Sequence, residues 1–258
     1  VAVKIPKLRL DQLLVDRGLA VSRTRAQAII IAGQIYSGEQ RLDKPGVSVP
    51  EDIAIDVRGQ DHPWVSRGGL KLVAGLAQFA IDPAGLTAID VGSSTGGFTD
   101  VLLTHGAVKV FAVDVGHGQL AWKLRQDDRV VVMERTNARH LTAAMIPDAI
   151  DMVVCDASFI GLRTVLPAAL ALLRPGGRLV ALIKPQFEVG KGQVGKGGVV
   201  RDPALHQAVC DTIRDWLEQE LGWSVLGIID SPILGPEGNH EFLIGAVKPE
   251  GGDLLLKQ

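Results

Sequence analysis

The stretch Asp90-Val91-Gly92-Ser93-Ser94-Thr95-Gly96-Gly97-Phe98-Thr99-Asp100 reads as the end of a buried strand, a glycine-rich turn and the start of a helix. Ala88 to Val91 supplies the apolar strand, and Phe98 to His105 the helical spacing. Glycines at the carboxyl end of a strand let the backbone come close to a ligand, so this turn is a candidate binding loop of an open α/β sheet. A dinucleotide loop would space its glycines G-x-G-x-x-G and lay a pyrophosphate on the helix N-terminus. Here the glycines are Gly92, Gly96 and Gly97, and Asp90 precedes them. A carboxylate sits badly beside pyrophosphate. It suits the ammonium and sulfonium of S-adenosylmethionine, which makes Asp90, Gly92, Ser93, Ser94, Gly96, Gly97, Phe98 and Thr99 the expected cofactor-binding residues.

Strand-like runs continue downstream of this turn. Buried-strand runs are read at Val108 to Val113, Val130 to Met133, Met152 to Cys155, Leu179 to Ile183, Val225 to Ile229 and Phe242 to Val247, making seven with Ala88 to Val91. Helical stretches, Gly161 to Leu173 and Pro203 to Leu221 among them, lie between most of these runs, and such alternation predicts a largely parallel sheet covered on both faces. The last two strands lack an intervening helix and are expected to pair antiparallel at an edge. Asp114 ends the second strand, where a carboxylate accepts hydrogen bonds from both ribose hydroxyls of a nucleoside. Asn137, after the third strand, is expected at the adenine edge, and Asp156 ends the fourth.

Ahead of this body lies a different segment. Residues 1–60 hold nine Lys and Arg against seven Asp and Glu, while the rest hold eighteen against twenty-two, so a basic head precedes a mildly acidic body. Leu10, Leu13 and Leu14 give one helix, and Ser22 caps a second that runs through Ala26, Ile29 and Ile30 to Gly33. Strand-like pieces follow at Gln34 to Ser37 and Ile53 to Val57. The polar run Gly59-Gln60-Asp61-His62-Pro63 marks a boundary, giving a head of residues 1–60, a linker of 61–66 and a body of 67–258. A basic head suits a polyanion, and Arg9, Arg23 and Arg25 lie near the starts of its helices.

Composition narrows the function. Across 258 residues, 47% are hydrophobic and 22% charged, an ordinary globular balance, and no run approaches the roughly 20 apolar residues that span a bilayer. Neither a signal core nor stable membrane association is expected, and two cysteines, Cys155 and Cys210, point to a reducing cytoplasm. The six histidines show no ligand spacing with the cysteines, so no metal is expected. Cys155 neighbours Asp156 on a strand, so the two side chains point oppositely and the thiol is read as core, not as a nucleophile.

Three motifs together carry a resemblance. Asp90 to Asp100, Cys155-Asp156-Ala157-Ser158-Phe159 and Ile183-Lys184-Pro185-Gln186-Phe187-Glu188 resemble the TlyA family, a branch of the FtsJ-like ribose methyltransferases. The head, with Arg9-Leu10-Asp11, Gly18 and Ser22-Arg23, looks like the S4 RNA-binding fold that precedes the catalytic domain in that family. The resemblance implies a Rossmann-like class I methyltransferase domain dependent on S-adenosylmethionine, with a seven-stranded, mostly parallel α/β sheet, behind a small α+β S4-like domain. It further implies methylation of a 2'-hydroxyl in ribosomal RNA, usually of cytidine in 16S or 23S rRNA, by a Lys-Asp-Lys-Glu tetrad. On this chain that tetrad maps to Lys71, Asp156, Lys184 and Glu241.

The chemistry asks for these residue types. A ribose hydroxyl is a poor nucleophile whose proton must leave as the oxygen attacks the methyl group, and a neutral amine can take it. Burial and a neighbouring lysine favour the neutral form of Lys184, while Asp156 fixes its direction and Glu241 orients Lys71. Each residue also has a plainer reading: Lys71 as the solvated face of an amphipathic helix, Asp156 as a helix cap, Glu241 as an edge charge. Arg67, Lys191 and Lys196 join Arg9, Arg23 and Arg25 as expected RNA contacts, and Phe159 as a base-stacking ring. Two rival functions are a non-catalytic RNA-binding or ribosome-assembly protein and a membrane-active toxin, since members of the family carry the hemolysin label. No lytic segment supports the toxin.

Overall fold

A computed structural model describes residues 6–20, 22–38, 40–57, 62–195, 197–235 and 238–251. The head opens with β1 (Lys7–Arg9), which pairs antiparallel with β4 (Ser48–Pro50), and with helices α1 (Leu10–Asp16) and α2 (Arg23–Ile31). A second small sheet joins β2 (Ile35–Ser37) to β3 (Gln40–Arg41) and β5 (Asp56–Val57), all antiparallel. The expected cap forms: Ser22 Oγ accepts the amide of Arg25, meeting one of the orphan N–H groups of the first turn of α2. Leu10, Leu13, Leu14, Ala26, Ile30 and Ile35 close a core of their own, and each fully buried Leu or Ile there contributes roughly 1.5–3 kcal/mol. Strands β1, β3 and β4 carry no alternation long enough to be read from sequence.

In the body, α3 (Gly68–Gln78) leads into β6 (Thr87–Val91), α4 (Gly97–Thr104), β7 (Lys109–Val113), α5 (Trp122–Arg125), β8 (Val130–Met133) and β9 (Ile150–Cys155). There follow α6 (Leu162–Val165), α7 (Pro167–Leu172), β10 (Leu173–Ile183), α8 (Pro185–Glu188), α9 (Pro203–Asp215), β11 (Ser224–Asp230) and β12 (Phe242–Val247). The seven strands form one sheet in the order β11-β12-β10-β9-β6-β7-β8. Pairing is parallel from β8 through to β10, and β12 runs antiparallel between β10 and β11. The last two strands therefore pair antiparallel as expected, although only β11 is an edge and β12 lies inside the sheet.

Alternation along each strand divides the core in two. Ile89, Val91, Phe111, Val113, Val153, Cys155 and Ile183 face one layer, whereas Ala88, Val110, Ala112, Met152, Val154 and Leu182 face the other. Cys155 is thus a core residue, its thiol pushed up to about 12 by burial, and the next residue, Asp156, leaves the strand toward the cleft. The helix read over Gly161 to Leu173 is broken in two by Pro167, which begins α7, and its last residue already belongs to β10. The helix read over Pro203 to Leu221 holds an α-helical path only to Asp215 and finishes in a π turn, Trp216–Glu220.

Candidate active site

The carboxyl ends of β6, β7, β9 and β10 meet at one rim of the sheet, and the glycine turn after β6 forms its floor. Gly92 has φ +79°, and a Cβ there would lie 2.8 Å from Ala157 Cα, so only glycine lets the turn after β6 touch the turn after β9. Gly97, the first residue of α4, has Ser66 and Gly69 against the space a side chain would take. The turn thereby holds the ends of three segments within reach of one ligand.

Asp90 lies beneath the turn and is bonded to it. Its carboxyl is fully buried, and Oδ2 accepts both the amide (3.0 Å) and the hydroxyl (2.7 Å) of Thr99, tying β6 to the first turn of α4. Burial pushes this group up to about 7, and Oδ1 has no hydrogen-bond partner among the described residues. Asp90 thus braces the turn with one oxygen and leaves one buried acceptor unused. Thr99, expected from the sequence at the cofactor, makes that brace. Asp114 takes the amides of Ser94 (2.8 Å) and Gly116 (2.7 Å), one on each oxygen, leaving further lone pairs for hydroxyl groups. Asn137 accepts the amide of Arg139 and stands exposed at the start of a short 3-10 turn. Phe98 packs in the core layer beneath the turn and also lines the cleft above it.

The four charged residues come together. Lys71 Nζ lies 2.7 Å from Glu241 Oε2 and 3.8 Å from Asp156 Oδ2, and Lys184 Nζ lies 2.5 Å from Asp156 Oδ1. Asp156 bridges the two amines. Lys71 is buried on α3, so the solvated-face reading of that helix position fails, and Glu241, just before β12, is fully buried too. Glu241 Oε1 also lacks a hydrogen-bond partner among the described residues. Burying this many charges is costly unless each is paired, and each orphaned buried acceptor calls for an explanation.

Sequence reasoning missed Ser158. Its hydroxyl accepts a hydrogen bond of 3.0 Å from Lys184 Nζ, and a second residue beyond Asp156 in extended chain returns to the same face, the signal by which it was legible. Next to it, Phe159 has φ +66°, is 90% exposed and lies 5.2 Å from the Phe187 ring.

A cleft of about 1050 Å³ runs from this rim to the head, lined by Lys71, Asp156, Ser158, Lys184, Gly92 and Ser93 on one side and by Arg25, Gly18 and Leu19 on the other, with Arg67 and His62 between. Arg25 and Arg67 are exposed there. Arg9 and Arg23 are drawn elsewhere: both guanidiniums pair with the buried Asp11, at 2.9 and 3.0 Å, which holds its carboxyl far below the usual carboxylate range. Both remain half-exposed. The Lys191 side chain and the whole of Lys196 lie outside the described residues. No group of three or more His, Cys, Asp or Glu suited to a metal occurs among the described residues, nor does a helix long and apolar enough to cross a membrane.

A parallel sheet with one reversed strand, a glycine turn after its first strand and buried lysines at its carboxyl rim define the methyltransferase class of α/β proteins. The family models agree: that of the FtsJ-like methyltransferases matches residues 64–248, and that of the S4 domain matches residues 8–52. The 16S/23S rRNA (cytidine-2'-O)-methyltransferase TlyA of Mycobacterium tuberculosis is 50% identical over 92% of this chain and 89% of its own. Hemolysin A of Brachyspira hyodysenteriae is 38% identical over 92% and 98%. A solved structure from Streptococcus thermophilus, provisionally described as a hemolysin, superposes with a TM-score of 0.73 at 41% identity over 98% of this chain and 93% of that one. The chain belongs to the TlyA family of FtsJ-like methyltransferases.

Proposed function

We propose that this protein transfers a methyl group from S-adenosylmethionine to a ribose 2'-hydroxyl of ribosomal RNA, that of a cytidine in 16S or 23S rRNA or in both. The observation that carries the reading is the buried Lys71-Glu241 and Lys184-Asp156 set at the mouth of the glycine turn. The donor fits the residues present: a cradle that excludes Cβ atoms at Gly92 and Gly97, a carboxylate at Asp114 with free lone pairs, and an unused buried acceptor on Asp90. In this reading Gly92, Ser93, Ser94, Gly96 and Gly97 line the donor, Asp114 holds its ribose, and Asn137 meets its adenine. When bound, S-adenosylmethionine supplies an electrophilic methyl group.

The chain's own residues do the rest. Lys184 takes the proton of the ribose hydroxyl, with Asp156 directing its amine. Glu241 holds Lys71, whose charge steadies Asp156 from the other side. Alignment of the hydroxyl with the methyl group contributes several kcal/mol without a covalent intermediate. The division into a head of residues 1–60, a linker of 61–66 and a body of 67–258 goes with this assignment: Arg9, Arg23 and Arg25 grip RNA phosphates, Arg67 continues the path into the cleft, and Phe159 stacks on an extruded base. Ribosomal RNA as substrate makes the cytoplasm its working compartment.

Incubation of pure protein with unmodified ribosomal subunits, their separated RNAs and labelled donor, followed by mass spectrometry of nuclease fragments, tests the proposal. Label on a ribose 2'-oxygen, abolished by Lys184→Ala with donor binding retained, is the expected result. Donor binding with no label on any subunit or RNA would leave an assembly role, and leakage of lipid vesicles by the pure protein would favour the toxin.

A further inference from the structure

Lys184 has three oxygen partners around its amine. Nζ lies 2.5 Å from Asp156 Oδ1, 3.2 Å from the Asp156 backbone oxygen and 3.0 Å from Ser158 Oγ. The aligned hydrogen bonds run from Nζ to the Asp156 backbone oxygen and to Ser158 Oγ, while Asp156 Oδ1 sits close without an aligned bond. Those two acceptors take the two N–H groups that a neutral amine keeps, so its lone pair is turned away from both. Without the Ser158 hydroxyl one N–H loses its acceptor and the nitrogen is free to rotate.

Resting on the reading of Lys184 as proton acceptor, we propose that Ser158 is a positioning residue for methyl transfer: its hydroxyl accepts an N–H of the Lys184 amine in both protonation states. The ribose hydroxyl meets the lone pair, which neither acceptor occupies. Once its proton has moved to Nζ, the Asp156 carboxylate balances the new charge and the bond to Ser158 Oγ is unchanged, so the nitrogen stays in place. The local backbone supports this duty. Gly92 presses the turn after β6 against Ala157, and the left-handed φ of +66° at Phe159 turns the chain away directly after Ser158. Ser158 itself faces solvent across the cleft wall, so the hydroxyl is not required to fill the core.

The experiment compares wild type, Ser158→Ala, Ser158→Thr, Lys184→Ala and the Ser158→Ala/Lys184→Ala double variant under single-turnover conditions on unmodified ribosomal subunits, with melting temperature and donor affinity measured for each. Ser158→Ala is expected to lower kcat roughly tenfold while leaving KM for RNA and the donor affinity within about twofold. Threonine, which keeps the hydroxyl, restores the rate. In the Lys184→Ala background the Ser158 change adds nothing, because the two residues act as a unit. A Ser158→Ala kcat within about twofold of wild type, a folded Ser158→Thr that stays slow, or an additive loss in the double variant overturns the assignment. A wild type that places no label on ribose, or a fully active Lys184→Ala, overturns the underlying reading of the site and this inference with it.

Discussion

Head and body each contain one carboxylate bridging two cations, and the two arrangements serve different ends. In the head, Asp11 is fully buried and its partners Arg9 and Arg23 keep about half of their side chains in solvent, at 52% and 51%. In the body, Asp156 is the more open member at 20%, and its partners Lys71 and Lys184 are hidden at 8% and 6%. A guanidinium stays charged at any accessible pH and presents a planar fork, whereas an amine out of water can give up its proton. The head therefore displays positive charge on a buried anchor, and the body hides its cations around a more open carboxylate. One carboxylate arranges a surface; in the proposed function the other arranges a reaction.

The sharpest way to break the comparison is to put the head's cation into the body. Lys184→Arg keeps a positive charge beside Asp156 but offers no base, so methyl transfer to ribosomal RNA is expected to fall by roughly a hundredfold or more, as far as in Lys184→Ala, in single-turnover assays. Near wild-type activity in the arginine variant would mean that charge alone is what the site needs.

Removing the anchor of the head comes next. Asp11 accepts from Arg9, Arg23 and Gln27, so Asp11→Ala is expected to cost about 1–3 kcal/mol in denaturant unfolding and to weaken RNA binding, with donor affinity unchanged. Its pH dependence follows from the direction of the shift. A carboxyl held below its unfolded value stabilises the fold while ionised, so the gap between wild type and Asp11→Ala stays level down to a pH of about 4 and closes below it. A gap that stayed level below that pH would assign the loss to packing.

The smallest effect belongs to the exposed arginines of the cleft. Arg25→Ala or Arg67→Ala is expected to weaken RNA binding several-fold and to reduce the slope of log affinity against log salt by about one, without changing which nucleotide is modified. A change of target nucleotide would show that these arginines read the RNA and do not merely hold it.

Much of this molecule was legible from side-chain pattern because strands covered on both faces read as continuous apolar runs. The runs Val130–Met133 and Phe242–Val247 appear in the structure at the bounds read from sequence, and the glycine turn falls where a strand must hand over to a helix. What the pattern did not carry was whatever depends on partners distant in sequence. Helix pattern alone reads Lys71 as a solvated position, and it was the family resemblance that paired it with Glu241, 170 residues away, which holds it inside. Arg9 and Arg23 looked like free phosphate ligands, and only packing of α1 on α2 shows them sharing Asp11. Ser158 lay in a motif already singled out, yet a serine has no pattern of its own until the amine beside it is in view.

Sequence by itself determined the seven strands, the basic head and the candidate binding turn, because each rests on local periodicity or on a contiguous motif, and a family resemblance pointed to the four charged residues. Tertiary structure decided that β12 inserts antiparallel between β10 and β11, which is what carries Glu241 to the rim opposite α3. It also decided which oxygen of each carboxylate is spent and which is spare. Hydrogen bonds and burial act across space, and neighbours along the chain do not encode them.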